Sequence, residues 1–213
     1  MLQVGLRVAT HRKGVFVSLV VPGSPAAMAG LRFGDQLLTL GSAELAGRTE
    51  DRVHGMLRSV MATFMSWYIT ELRPRSSPVN NIVLAVRDRP LCRSLVLTKD
   101  RAGRLGIMVR WGLEINSSDI HVNESINPPP VRDGAVSAIA VASTAARNGV
   151  LVGDQLVEVN GACVVGLGDR EVRRRIEQEA AAVTLTTMPQ ETFRAMVRGM
   201  SGWLVRNKMN HSY

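Results

Sequence analysis

Short apolar-rich stretches, separated by glycine-bearing turns, dominate the hydrophobic pattern of this chain. Leu6-Arg7-Val8 alternates with the period of two that is typical of half-buried strands. Apolar-rich runs that also indicate strands follow at residues 15–20, 36–40, 107–109, 135–140 and 155–159. Two other segments place apolar residues three and four apart, which predicts amphipathic helices at residues 50–58 and 169–178. The pattern therefore predicts a mostly β (α+β) protein with short helices.

The chain contains two copies of one unit. Residues 24–37 and 143–156 are identical at eight of fourteen positions when they are aligned at an offset of 119. Each stretch begins with a serine suited to cap a short helix and ends in a Gly-Asp turn before a strand. A repeat of about 100 residues has the size of a domain rather than of a solenoid unit.

An extra segment interrupts the alignment in each copy, at about residues 59–79 in the first and 112–132 in the second. The first extra segment continues the 3.6-residue period and is expected to lengthen the preceding helix until Arg73-Pro74 stops it. The second is polar, ends in three consecutive prolines and is expected to form a loop.

The string Gly-Leu-Arg-Phe-Gly-Asp-Gln-Leu-Leu at residues 30–38, with a glycine loop upstream and an acid-capped helix downstream, resembles a PDZ domain. Both copies carry this set, and the whole arrangement is similar to the syntenin family of tandem PDZ adaptors. Further hallmarks are Gly14-Val-Phe-Val, Arg87-Asp-Arg-Pro90 and Val165-Gly-Leu167. The resemblance implies two tandem PDZ domains, each a small, partly open β-barrel or sandwich capped by two helices.

The expected boundaries are residues 1–90 for the first domain, 91–189 for the second and 190–213 for an amphipathic tail helix. Residues 93–99 precede the second glycine loop as an opening strand, but only three residues precede the first. Relative to the family, the chain is expected to be short at its N-terminus and to lack the first opening strand. The tail helix is expected to pack on the second domain, with a membrane-surface helix as the alternative.

A PDZ-like groove implies strand addition by an extended peptide whose terminal carboxylate is held by backbone amides of the glycine loop. By resemblance those amides belong to residues 4–6 and 105–107, and glycine allows the close approach at Gly5 and Gly106. The pocket for the last ligand side chain is implied at Val4, Leu6, Val8, Val53 and Leu57 in the first copy and at Leu105, Ile107, Val109, Val172 and Ile176 in the second. The alternative is that these are ordinary core residues.

The first position of the second helix in each copy is implied to tune the antepenultimate ligand residue. Glu50 and Asp169 occupy it, and an acid there favours a ligand hydroxyl, phenol or base. Compensation of charge at the helix N-terminus is the alternative role. His54 and Arg173 lie one turn later and are expected to border the groove, unless they are solvated surface residues.

The chain carries 26 basic and 18 acidic residues, a net charge of +8, which favours anionic partners. The charge is spread without a long basic run, so nucleic acid is not an expected partner. Phosphoinositide-containing membranes are implied by the resemblance. The expected lipid-binding residues surround the second glycine loop and the facing helix: Lys99, Arg101, Arg104, Arg110, Arg174 and Arg175. A scattered, solvated basic face is the alternative.

The sequence predicts no enzyme, because the four histidines are dispersed and no metal-binding, phosphate-binding or nucleophile motif occurs. No metal or cofactor is expected, and two cysteines indicate a reduced compartment. The expected function is a scaffold that binds C-terminal tails of transmembrane receptors (syndecan-like), mostly through the second domain. It would be cytoplasmic and peripheral at the plasma membrane and endosomes. The alternative is a lipid-binding module or a self-associating protein, such as a homodimer, that inserts residues 211–213 into a neighbour's groove.

Overall fold

The computed structural model describes residues 4–69, 82–111, 134–178 and 181–212, and it excludes the side chains of residues 61–69, 110, 111 and 169. It divides the chain into two compact units, residues 1–90 and residues 91–213. Each unit contains an antiparallel sheet and its own apolar core. The mostly β class with short helices is thus confirmed.

The first unit is one sheet with two helices. Its strands pair in the order β1-β2-β3-β4, and β5 also pairs with β3. The strands are β1 Leu6–His11, β2 Gly14–Val20, β3 Gln36–Leu40, β4 Ala43–Glu44 and β5 Leu84–Arg87, and the helices are α1 Pro25–Met28 and α2 Glu50–Ile69.

Helix α2 starts with Glu50 and Asp51, whose negative charges favour the positive N-terminal end of a helix. Val53 and Leu57 lie four residues apart and are buried on one face. The helix continues through Ile69, as the apolar period in the first extra segment predicts. The expected stop at residues 73–74 lies outside the described residues.

The second unit repeats this arrangement with one strand more. Its strand order is β6-β11-β9-β8-β7, and β10 pairs with β9. The strands are β6 Arg93–Thr98, β7 Ile107–Trp111, β8 Gly134–Ile139, β9 Asp154–Val159, β10 Ala162–Cys163 and β11 Ala182–Pro189, and the helices are α3 Thr144–Arg147 and α4 Asp169–Gln178. The expected loop at residues 112–132 lies outside the described residues.

Strand β6 marks the difference between the two units. It pairs with β11 along its whole length, from Arg93 opposite Thr187 to Thr98 opposite Ala182. Its counterpart would flank β5 in the first unit, but β5 pairs only with β3 within the residues that the structure describes. Val86 and Arg87 of β5 are exposed as a result.

The residues shared by the two repeats close the same local turns. The hydroxyls of Ser24 and Ser143 each accept the N–H of the residue three positions later, at 3.2 Å, and so cap α1 and α3. The buried carboxylate of Asp35 accepts the Arg32 N–H at 2.8 Å, and Asp154 accepts the Leu151 N–H at 3.3 Å. These bonds give the backbone N–H groups of the turns a hydrogen-bond partner that they would otherwise lack.

The tail forms two helices, α5 Gln190–Val197 and α6 Gly202–Lys208, and the expectation of one tail helix is wrong. Gly199 has a φ of +71°, a left-handed conformation that ends a helix, and the Ser201 hydroxyl caps the next one. Phe193 and Met196 are buried where α5 packs on β9 and β11, and Val205 of α6 is buried too. These three side chains of the tail are thus covered within the second unit, whereas Trp203 of α6 is exposed.

Candidate binding grooves

A glycine in the left-handed region opens β1 and β7. Gly5 has a φ of +76° and Gly106 a φ of +78°. A Cβ at Gly5 would lie 2.0 Å from the Ser24 Cβ, and one at Gly106 would lie 2.3 Å from the Ser143 Cβ. The serine that caps the short helix therefore also packs against the glycine loop. A side chain at either glycine would clash with that serine, so only glycine fits at both positions.

The glycine loops are held by backbone hydrogen bonds to the segments that follow β2 and β8. The carbonyls of Val4 and Gly5 accept the N–H groups of Ala26 at 3.0 Å and Val21 at 2.7 Å. In the second unit, the carbonyls of Leu105 and Gly106 accept the N–H groups of Ala145 at 3.3 Å and Ala140 at 2.8 Å. Both loops are thus rigidly positioned beside the edge strand and the long helix of their unit.

The predicted apolar pocket of the first unit is part of its core. The five side chains assigned to it from the sequence are all buried and belong to one cluster: Val4, Leu6, Val8, Val53 and Leu57. The first groove therefore presents no open apolar face to a ligand side chain at these residues in this conformation, and their assignment to a ligand pocket stays a prediction.

Two side chains of α2 cross the first groove and bond to the outer edge of β1. The Val8 N–H donates to Nε2 of His54 at 3.2 Å, and the Thr10 N–H donates to Oε1 of Glu50 at 3.2 Å. Burial lowers the pKa of His54 below its usual value, and the positive charge of Arg7 lowers it further. Glu50, implied to tune a ligand residue, and His54, expected to border the groove, thus both bond to the strand on the far side of the groove.

The predicted pocket residues of the second groove are less buried than those of the first. Leu105 and Val172 are buried in the core, whereas Ile107, Val109 and Ile176 are only partly buried, and Ile107 and Ile176 pack against the core. Ile107 and Val109 belong to β7 and Ile176 belongs to α4, the elements that match β1 and α2 in the repeat. The side chain of Asp169 lies outside the description, and Arg173 is exposed.

The basic residues near the second glycine loop are largely engaged with neighbours. Nζ of Lys99 donates to the carbonyl of Glu177 at 3.3 Å, and Arg104 pairs with Asp100 at 3.2 Å. Arg174 pairs with Glu171 at 2.6 Å. The backbone N–H of Arg104 holds the pKa of Asp100 below its usual value. Arg101 is exposed, and the side chain of Arg110 is outside the description.

Arg175 and His211 form a contact that the sequence did not suggest. The Arg175 guanidinium donates to the carbonyls of Cys163 at 3.3 Å and His211 at 3.2 Å, and it pairs with Glu171 at 3.4 Å. The His211 imidazole also bonds to the Cys163 carbonyl, at 2.9 Å. Arg175 therefore fastens the tail to the second unit, which leaves it less available to lipid than expected.

Metal-binding clusters and membrane-spanning helices are both absent from the described part of the chain. No group of His, Cys, Asp and Glu side chains there could hold a metal ion. None of the helices in the described ranges is long and apolar enough to cross a bilayer. Cys163 is buried, and burial raises the pKa of its thiol to about 12, so it is not a reactive thiolate.

Comparison with known proteins identifies the fold. The sequence model of the PDZ domain family matches residues 3–62. Mouse Syntenin-2 is 30% identical over 208 residues, which are 98% of this chain and 58% of that protein. Human Syntenin-1 is 28% identical over 210 residues, which are 99% of this chain and 57% of that protein. The similarity thus spans both units and the tail.

Other known proteins are similar at lower identity or over a smaller part of the chain. The mouse Na(+)/H(+) exchange regulatory cofactor NHE-RF2 is 24% identical over 85% of this chain and 60% of its own length. The PDZ domain of human microtubule-associated serine-threonine kinase 4 aligns with a TM-score of 0.37, at 23% identity, over 46% of this chain and 92% of that domain. The chain spans less than three fifths of the length of the syntenins it matches. Neither the syntenins nor NHE-RF2 is named as an enzyme, as expected for this chain.

Proposed function

We propose that this chain, a syntenin-like protein with tandem PDZ domains, is a scaffold that binds the free C-terminal peptides of other proteins in its second groove. One observation carries the proposal. Around the Gly106 loop, the side chains of Ile107, Val109 and Ile176 are partly exposed, whereas their first-unit counterparts are fully buried. A partly exposed apolar groove between an edge strand and a helix suits an extended peptide.

Strand addition supplies most of the affinity in this mechanism. Strand β7 stands at the end of its sheet order and pairs on one side with β8, so its other edge has no strand partner among the described residues. Peptide backbone groups would pair with that edge, and the amides of residues 105–107 would bind the terminal carboxylate. Ile107, Val109 and Ile176 would hold an apolar last side chain, while Asp169 would favour a hydroxyl, phenol or base two residues earlier.

The ligands we propose are tails of transmembrane receptors of the syndecan type. Such ligands would place the scaffold in the cytoplasm, at the inner face of the plasma membrane and of endosomes. Fractionation of cells that express the chain, with and without a receptor whose tail ends in an apolar residue, tests this placement. Membrane recovery that does not depend on the receptor tail would contradict it.

Fluorescence anisotropy with labelled peptides that end in an apolar residue tests the peptide-binding proposal. We expect saturable binding in the micromolar range, about −8 kcal/mol, and loss of binding when the peptide C-terminus is amidated. Ile176→Ala should weaken binding about tenfold, because it removes apolar contact with the last side chain. Met108→Ala is the matched control, since Met108 is exposed and alternates to the other face of β7. Equal binding of free and amidated peptides would refute the proposal.

Contact with anionic lipid is a second proposed function, supported by the exposed Arg101 and Arg104 beside the glycine loop. Each basic residue near an anionic surface contributes roughly 1 kcal/mol. Cosedimentation with phosphatidylcholine vesicles, with and without phosphatidylinositol bisphosphate, measures it. Arg101→Ala should reduce lipid-dependent recovery about fivefold, whereas Arg147→Ala, which removes an equal charge from exposed α3, should not. Equal losses for the two variants would indicate only net-charge attraction.

A further inference from the structure

The outer edge of β1 carries the backbone donors that an added peptide strand needs. Strand β1 stands at the end of its sheet order and pairs with β2 on its inner side. Val8 and Thr10 are two residues apart, so their N–H groups leave the same edge of the strand. In strand addition these two groups would donate to two peptide carbonyls that are also two residues apart.

Both donors are already taken by side chains of α2. Val8 donates to His54, and Thr10 donates to Glu50. Glu50 and His54 are four residues apart, about 6 Å along a helix, and two strand residues span about 6.7 Å. The helix therefore offers its two acceptors at nearly the spacing of the two strand donors, and both bonds form together. The apolar side chains beneath them are buried against one another.

We propose that Glu50 and His54 are a latch that closes the first groove against peptides, and that protonation of His54 opens it. The inference rests on the proposed peptide-binding function and adds a regulated site to it. A peptide can bind the first groove only by displacing both side chains from β1. The first groove is therefore weak at neutral pH and becomes available in an acidic environment.

The pH response follows from the acceptor role of Nε2. Nε2 can accept the Val8 N–H only while it carries no proton, and the imidazolium is a donor at both nitrogens. The charged groups that face His54 are Arg7 on β1 and Glu50, Asp51 and Arg58 on α2. Burial and Arg7 lower the pKa of His54, so the latched form predominates at neutral pH. The protonated ring would attract the Glu50 carboxylate and so weaken the bond to Thr10 as well.

The second groove has no hydrogen-bond acceptor at the position that matches His54. Arg173 stands where His54 stands in the first repeat, and a guanidinium has five donors and no acceptor. An arginine therefore cannot close the second groove by accepting a bond from the strand edge, which makes this groove an internal control in the same molecule.

NMR of the full chain, with a labelled-peptide titration at pH 7.5 and pH 5.5, tests the latch. The amide signals of Val8 and Thr10 report the first groove, and that of Val109 reports the second. We expect first-groove affinity to be about tenfold higher at pH 5.5, because one or two neutral hydrogen bonds are released. His54→Ala should show the higher affinity at both pH values. His54→Gln keeps an acceptor that does not titrate, so it should show the lower affinity at both.

Hydrogen exchange without peptide separates the latch from the binding function. Protection of the Val8 amide, corrected for the intrinsic rate at each pH, should fall about tenfold at pH 5.5 and in His54→Ala. If protection falls in this way but no peptide binds either groove, the latch stands and the proposed function fails. If peptide binds the second groove while His54→Ala and His54→Gln match the wild type in first-groove affinity at both pH values, the latch is refuted.

Discussion

Replacement of Gly106 by alanine probes the contact that shapes the second glycine loop. Gly106 has a φ of +78°, and its Cβ would lie 2.3 Å from the Ser143 Cβ and 2.7 Å from the Ser143 Oγ. Gly149 has the same φ of +78°, but a Cβ there would meet no atom within 4 Å. The two substitutions therefore share the backbone strain and differ only in the steric contact.

The expected losses of unfolding free energy follow from the backbone strain and the steric contact. Alanine in the left-handed region costs about 1–2 kcal/mol, and this is the whole expected loss for Gly149→Ala. Overpacking against a fixed neighbour adds about 1–3 kcal/mol, so Gly106→Ala should cost about 2–5 kcal/mol in total. A double variant with Ser143→Gly should recover most of the steric part, because glycine replaces serine as an N-cap at a cost of only a few tenths of a kcal/mol.

Urea unfolding, followed by the NMR amide signals of the second unit, measures these losses without interference from the first unit. The excess cost of Gly106→Ala over Gly149→Ala is the decisive quantity, and the double variant assigns it to Ser143. Equal costs for the two single variants would refute the steric argument. The same reasoning predicts that a large side chain at Gly106 damages the fold of the loop, so it is unsuitable as a simple block of the groove.

Two further predictions concern the second unit. Asp154→Ala should lower its unfolding free energy by roughly 2 kcal/mol, because the Leu151 N–H and the Thr187 hydroxyl lose a buried acceptor; urea unfolding checks this, and an unchanged midpoint would contradict it. Burial lowers the pKa of His211, so the folded state binds its proton less readily than the unfolded state and stability should fall as pH drops below about 6.5. His211→Gln should flatten that dependence between pH 7.5 and 5.5, and an unchanged slope would remove His211 as its cause.

The sequence predicts the two units well because their defining chemistry is local. The serine caps, the Gly-Asp turns and the strands beside them all depend on residues within a few positions of one another. Such contacts repeat whenever the sequence repeats, so an offset of 119 is enough to predict both domains. The break in the tail is also local, and Gly199 followed by Ser201 is its visible signal.

The long-range hydrogen bonds at the two grooves could not be predicted in the same way. The bonds from Val8 to His54 and from Thr10 to Glu50 join residues 46 and 40 positions apart. The bond from Arg175 to the His211 carbonyl joins residues 36 positions apart. Helical spacing places these side chains on the correct face, but whether they meet a ligand, a backbone amide or a tail depends on packing that no sequence period encodes.

The difference between the two grooves reduces to the hydrogen-bonding capacity of one position. The repeats share their glycine loops, serine caps and helix faces, so the backbone can offer the same strand edge twice. A histidine at position 54 can accept a bond from that edge and close it, whereas an arginine at position 173 can only donate. If both grooves bind peptides as proposed, the two copies of one fold differ in how a ligand gains access to them. The pH dependence of the first groove relative to the second decides whether this distinction operates in solution.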